Sequence, residues 1–354
     1  MRSSFLLILG FVLCFAAAQR LLEPKYMTET VDGALTAEYY QDAGSNEVLF
    51  VGDCEVYENF SPVELYREHG VTSTIRGGAQ QLIWHSYYLL EEALKHETPK
   101  FVVFNVLAMK YGEPQSEPYN RLNLDGMRLS ISKLKAVSAS ATKGEDKISY
   151  ILPLLRYHDR WSKLSLADFK YFIQPREKVG HNGYMMRSDT VPVDVVPIEE
   201  KLPNYDLAEQ CWEYLDKIRD ICAQKNIKLV LVKAPTIYPF WHEQWDEQIA
   251  QYAQANGLSY FNMLKLADDI GIDWDTDTYD GGLHMNVQGA EKCARWIGAK
   301  LKEMESLSDF RLDPEVNEIW QRKISDYERM KATQLDELAE FGKIQTLTYR
   351  ESEQ

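Results

Sequence analysis

A chain of 354 residues with 45% hydrophobic and 12% aromatic content can bury one large core or two modest ones, which excludes a disordered or low-complexity protein. Its 39 basic and 54 acidic side chains give a formal net charge of −15. That balance excludes a general nucleic-acid binder, because phosphate backbones are held by clustered Lys and Arg, and it makes a bare anionic membrane surface a poor partner.

The chain opens MRSSFLLILGFVLCFAAAQR, with Arg2 ahead of an apolar run from Phe5 to Ala18 and small residues at Ala16 and Ala18. This predicts a secretory signal over residues 1–18, cleaved before Gln19. The run is shorter than the ~20 residues a membrane-spanning helix needs; an uncleaved segment acting as a membrane tether is the alternative. Either way the protein is expected to be secreted or to work in the cell envelope. Residues 19–45 read as a lead-in. Export permits disulfides among Cys54, Cys211, Cys222 and Cys293. Cys211 and Cys222 sit too far apart along one predicted helix to bond with each other; a disulfide from Cys54 to a partner such as Cys293 is the alternative to a free thiol. No C-x-x-C or H-E-x-x-H spacing occurs, so neither a metal site nor a cofactor is expected.

Apolar runs rich in β-branched and aromatic residues at Val48–Val51, Val71–Ile75, Phe101–Leu107, Ile227–Val232 and Leu258–Phe261 predict strands. Helical spacing follows Gly78, precedes Ile227, separates Val232 from Leu258, and returns after Asn286. Strands alternating with helices imply a three-layer α/β/α sandwich around a mostly parallel sheet, with ligands expected at the carboxyl ends of the strands. The alternation breaks over about 109–205, where a helical stretch and then a Gly-, Pro- and Val-rich piece form an insertion too long for a plain loop, expected as a cap beside the site. The α/β domain with this insertion spans 46–310. In 311–354, Asp313 and Pro314 open an amphipathic C-terminal helix whose apolar stripe lacks a sustained heptad and is expected to pack on the domain's own surface.

Two pieces carry chemistry. In VLFVGDCEVYENF the first strand ends on Gly52-Asp53-Cys54; Gly52 allows a sharp turn, and a thiol opening a helix gains thiolate character from the helix N-terminus. Some 230 residues later, DTYDGGLHMNVQG holds His284 as a base that titrates near neutral pH and Asp280 as its orienting acid. Asn286 in the same stretch reads as a helix N-cap.

In this order the two pieces resemble the SGNH/GDSL hydrolase superfamily over roughly residues 46–107 and 206–304. VGDCEV resembles its first block, G-D-S, with Cys54 where the nucleophilic serine stands. DGGLHMN resembles its last block, D-x-x-H, and IRGG resembles the second block, whose glycine lends an N–H to the oxyanion hole. The resemblance implies a flavodoxin-like parallel sheet, Cys54, His284 and Asp280 as catalytic residues, and an oxyanion hole made by Cys54 and Gly77. The chain departs from the pattern in three places: the nucleophile is Cys, the acid lies four residues before His284 rather than three, and the third block, G-x-N-D, gives way to NVLAMKYG. Asn105 is the expected replacement for its side-chain donor.

Asp53 belongs to the first block and is a candidate for substrate binding; Arg76 and Lys233 follow the second and fourth strands and are candidates for offsetting the charge of an anionic substrate or intermediate. Tyr238 and Trp241, in KAPTIYPFWHEQW, are candidates for stacking on sugar rings. The resemblance implies an exported ester hydrolase or acyltransferase acting on a cell-surface carbohydrate or acylated glycopolymer, as in members that acetylate alginate or transfer D-alanine to teichoic acid. The alternative is a catalytically degenerate member that binds such a polysaccharide or a partner.

Overall fold

A computed structural model of the chain describes residues 2–23, 31–44, 46–174, 178–196, 198 and 201–346. Its first helix, α1 (Arg2–Leu22), continues past Ala18, where the sequence places the end of the signal. At ~1.5 Å per residue such a helix extends about 30 Å, and the Ser4–Leu22 stretch is long and apolar enough to cross a membrane. An N-terminal helix of this kind serves as a signal sequence or as a membrane anchor. Next comes α2 (Val31–Asp42), a helix within the segment read as a lead-in.

The α/β core then runs β1 (Val48–Gly52), α3 (Cys54–Tyr57), α4 (Pro62–His69), β2 (Ser73–Gly77), α5 (Ile83–Ala93) and β3 (Phe101–Asn105). The insertion holds α6 (Glu117–Leu124), α7 (Ile131–Ser140), α8 (Leu154–Tyr157) and α9 (Leu166–Ile173). The core resumes with α10 (Glu209–Gln224), β4 (Lys228–Lys233), α11 (Glu243–Ala255), β5 (Ser259–Asn262), α12 (Ala267–Ile270) and α13 (Val287–Met304), and the chain closes with α14 (Pro314–Phe341).

All five strands are parallel, in the order β2-β1-β3-β4-β5. This is the flavodoxin-like order, whose switch point lies between β1 and β3. Successive strand residues face opposite sides. Val48, Phe50, Val103, Val230 and Val232 pack with Val63 and Leu65 of α4 and Ile297 and Leu301 of α13. Leu49, Val51, Val102, Phe104, Leu229 and Leu231 pack with residues of α5, α10 and α11. Burial on both faces explains why the inner strands β1, β3 and β4 read as largely apolar runs, whereas the edge strands β2 (STIRG) and β5 (SYFN) carry polar residues.

The insertion does not act as one cap. Leu124, Met127, Ala136, Val137 and Tyr150 form a small separate core against Leu89 of α5. The irregular stretch after the helices runs along the edge strand β2, where Asn182 donates to Ser73 O (2.8 Å) and accepts from Ile75 N–H (2.9 Å), and goes on past α3 and the loop after α12, with Met185 N–H donating to Tyr57 O (2.8 Å) and Val193 N–H to Trp274 O (3.0 Å), while Asn123 of α6 donates to Ala79 O just after β2 (2.9 Å).

Helix α14 starts where the Asp313 carboxylate accepts from the N–H groups of Glu315 and Val316 and stops at Gly342, whose left-handed φ of 69° suits glycine. Its apolar stripe packs on the domain itself. Trp320 stacks on Tyr66 at 4.6 Å, Tyr327 is buried with its hydroxyl 3.0 Å from Glu291, and Gln334 donates to Met186 O (3.1 Å).

Candidate active site at the strand ends

Gly52 ends β1 in register with Gly77 of β2. A Cβ on Gly52 would lie 2.4 Å from a Val56 methyl and 2.9 Å from the Asn105 Cβ, so only glycine lets the chain fold straight back into α3. Asp53 caps that turn, accepting from Glu55 N–H (3.2 Å), and Cys54, half-buried, is its first residue. Because α3 is a single turn, its dipole contributes little to the thiol, contrary to the sequence argument. What the turn does supply is a neighbour: Glu58 N–H donates to Cys54 O (3.0 Å), which places Cys54 and Glu58 one above the other on the same face.

The second loop is built around two glycines with positive φ, Gly281 (76°) and Gly282 (102°). They turn the chain so that one carboxylate holds His284 twice: Asp280 accepts from His284 N–H (2.8 Å) and lies 2.7 Å from His284 Nδ1. The extra residue between acid and histidine is thereby absorbed by backbone that only glycine adopts readily.

Glu58 joins the two loops. Its carboxylate lies 3.0 Å from His284 Nδ1 and also accepts from the Tyr279 hydroxyl, while the Tyr279 ring stacks on the imidazole at 5.9 Å. Asn59 makes a second tie, its side-chain oxygen accepting from Met285 N–H (2.8 Å). The turn that begins with Cys54 therefore ends on the side chain that grips His284. Burial alone would push the imidazole pKa down, but the charge of Glu58, then the hydrogen bond and charge of Asp280, outweigh it and raise His284 to about 9. At neutral pH the ring is an imidazolium, not the free base that the sequence suggests. With Nδ1 held by carboxylates, Nε2 is buried and has no hydrogen-bond partner among the described residues.

Three of the expected site residues are committed elsewhere. Asn105 donates both amide hydrogens, to Asp53 (3.1 Å) and Glu55 (2.9 Å), and its oxygen accepts from Ala234 N–H (3.1 Å); no N–H remains for an oxyanion. Lys233, fully buried, spends its three hydrogens on Glu55 (2.8 Å), Ala234 O (2.9 Å) and Thr236 (2.8 Å). Arg76 turns away to α2, donating to Thr36 O (2.8 Å) with its guanidinium 4.4 Å above the Tyr39 ring. Neither cation is presented to a substrate.

Asp53 is likewise buried as a cap, and burial, followed by the charge of Glu55, pushes its pKa up to about 7. Gly77 stays beside the Cys54 turn: a Cβ there would sit 3.1 Å from Gly52 O and 3.5 Å from Asp53 O. Tyr238 is exposed beyond β4, and Trp241 is largely buried 5.5 Å from Trp245. All five cysteines are free, with Cys293 buried in α13, so the Cys54–Cys293 disulfide is not formed.

The sequence reading missed Glu58, Tyr279 and Lys110. The spacing from Cys54 to Glu58, one helical turn, was the available signal for the first. Lys110 follows β3, where the third block is absent. Burial draws its ammonium pKa down against the pull of Glu55 and Asp53, and the charge of Cys54 also reaches it. Among the described residues no group of three or more His, Cys, Asp or Glu side chains is placed to hold a metal ion.

Comparison with protein-family models, curated proteins and solved structures finds no match for this chain.

Proposed function

We propose that the protein is an extracytoplasmic acyl-transfer enzyme of SGNH type, acting on ester groups of a cell-surface glycan through Cys54 and His284. The observation that carries this reading is Glu58, which rises one turn after Cys54 and lies 3.0 Å from His284 Nδ1, bringing together two motifs 230 residues apart in sequence. The apolar N-terminal helix supports export or anchoring, and the parallel sheet puts both loops at the ligand end of the fold.

In this mechanism the His284 imidazolium, held on Nδ1 by Asp280 and Glu58, stabilises the Cys54 thiolate. The thiolate attacks the acyl carbonyl; the intermediate collapses as the imidazolium Nε2–H protonates the leaving alkoxide, and a thioester forms on Cys54. Neutral His284 then takes a proton from water or a sugar hydroxyl, whose oxygen attacks the thioester and returns the site to thiolate and imidazolium. The N–H groups of Cys54 and Gly77 bind the oxyanion, and Lys110 supplies positive charge where the third block would have placed a side-chain donor.

A second reading, a glycan-binding protein without turnover, draws its support from Asn105, whose amide is consumed by Asp53 and Glu55. Comparison of the wild type with Cys54→Ser and Cys54→Ala on a panel of O-acetylated glycans separates the two. The enzyme reading expects acetyl release or transfer that Cys54→Ala abolishes; equal activity in all three removes Cys54 from the mechanism.

A further inference from the structure

Beyond the His284 loop, at the carboxyl ends of β4 and β5, lies a cleft of about 450 Å³, within the range of small-molecule sites. Phe240, Trp241 and Trp274 supply aromatic walls, and Glu243, Lys265 and Asp268 stand on its polar side. Its wall is continuous with the catalytic loop: Ile237, another lining residue, donates its N–H to Gly282 O (2.8 Å) and packs its side chain 3.4 Å from the Gly282 Cβ position. One wall of the cleft thus rests against the loop two residues before His284.

We infer that this cleft binds an uncharged pyranose unit of the acylated glycan, beside the ester presented to Cys54. The inference rests on the acyl-transfer reading for its role, though not for the binding itself. Aromatic side chains with polar groups at their margin match a sugar ring, which has apolar C–H faces and an equator of hydroxyls. The charge balance selects the class of sugar. Lys265 is tied to Glu243 (2.6 Å) and Asp246 (2.7 Å), so it offers little net positive charge. The Asp268 carboxylate makes no hydrogen bond or ion pair among the described residues and acts as an acceptor for hydroxyl donors. A phosphate- or carboxylate-bearing unit would meet two carboxylates against one compensated ammonium, in a chain of net charge −15. An apolar chain would strand the carboxylate and ammonium groups without water. The anionic glycopolymers that an exported acyltransferase otherwise suggests are therefore disfavoured at this position.

Tryptophan fluorescence of the full-length protein, kept in detergent for its N-terminal helix, is titrated with chitotetraose, cellotetraose and a tetramer of galacturonate. Saturable binding of a neutral tetramer is expected. Trp274→Ala should weaken it at least tenfold and Asp268→Asn severalfold, while Cys54→Ala leaves it unchanged. Asp268 is exposed, so its variant tests the site even if Trp274→Ala fails to fold. Tighter binding of the galacturonate tetramer, or neutral binding indifferent to both substitutions, overturns the inference. Acyl-enzyme formation on Cys54 with no neutral binding overturns the cleft and leaves the catalytic reading standing. Neutral binding without any acyl-enzyme supports the cleft and removes the catalytic reading.

Discussion

Two clusters of charge sit side by side at the strand ends, and they are built on opposite terms. Under Cys54, the group of Asp53, Glu55, Asn105, Lys233 and Thr236 is closed: Lys233 has used every hydrogen, Asn105 has used both of its own, and both residues are fully buried. Around His284, the group of Glu58, Asp280 and Tyr279 is lopsided: three oxygens converge on one ring nitrogen while the other has no partner. A saturated buried network fixes geometry and offers nothing to a ligand. A network that spends its carboxylates on one side of an imidazole leaves the other nitrogen for chemistry. Charged residues at strand ends are thus not equivalent evidence of a site; the unspent valence is what distinguishes them.

That contrast breaks first at His284. His284→Ala should slow acylation of Cys54 by about 10²–10⁴-fold while the far-ultraviolet circular dichroism stays unchanged; a tenfold effect or less would place the ring outside the chemistry. The closed cluster should answer in stability instead. Lys233→Met strands the Glu55 carboxylate and should cost about 3–5 kcal/mol in urea unfolding, and adding Glu55→Gln should recover much of it. A loss under 1 kcal/mol would mean that the buried Lys233–Glu55 pair does not brace the strand ends.

Glu58 bridges the comparison. His284 titrates at about 9 in the folded protein against an ordinary value near 6.5. Its raised pKa therefore contributes stability that is complete below about pH 6.5 and is lost as pH rises through 9, roughly 1–3 kcal/mol in all. Glu58→Gln should move the His284 titration, followed by NMR, back toward 6.5 and flatten the fall in melting temperature over that window. An unmoved titration would assign the whole shift to Asp280. As a control outside both clusters, Asp313→Ala removes only the cap of α14 and should cost about 1 kcal/mol without altering either cluster's behaviour.

Much of this architecture was legible in the sequence because burial on both faces of a parallel sheet leaves a largely apolar run in the inner strands, and β-branched and aromatic residues mark the edge strands; the five stretches so read correspond to the five strands within a few residues. The turn at Gly52-Asp53-Cys54 was legible because a glycine and a capping acid at the end of an apolar run mark a sharp strand-to-helix turn, and the Asp280–His284 contact because the two lie four residues apart in one loop. Arg76, Asn105 and Lys233 were misread for one reason. A polar residue closing a buried strand looks alike whether it faces a ligand or a partner, and their partners Thr36 and Glu55 come from distant elements. Glu58 escaped because a glutamate on a short helix ordinarily reads as solvated; only the turn of α3 aims it inward.

The most direct test of the Cys54–His284 pairing is intact and peptide mass spectrometry after brief mixing with an activated acetyl ester at neutral pH. The account predicts a single acetyl thioester on Cys54, absent in Cys54→Ala and forming far more slowly in His284→Ala. No adduct in the wild type, or one that forms at the same rate without His284, would contradict it.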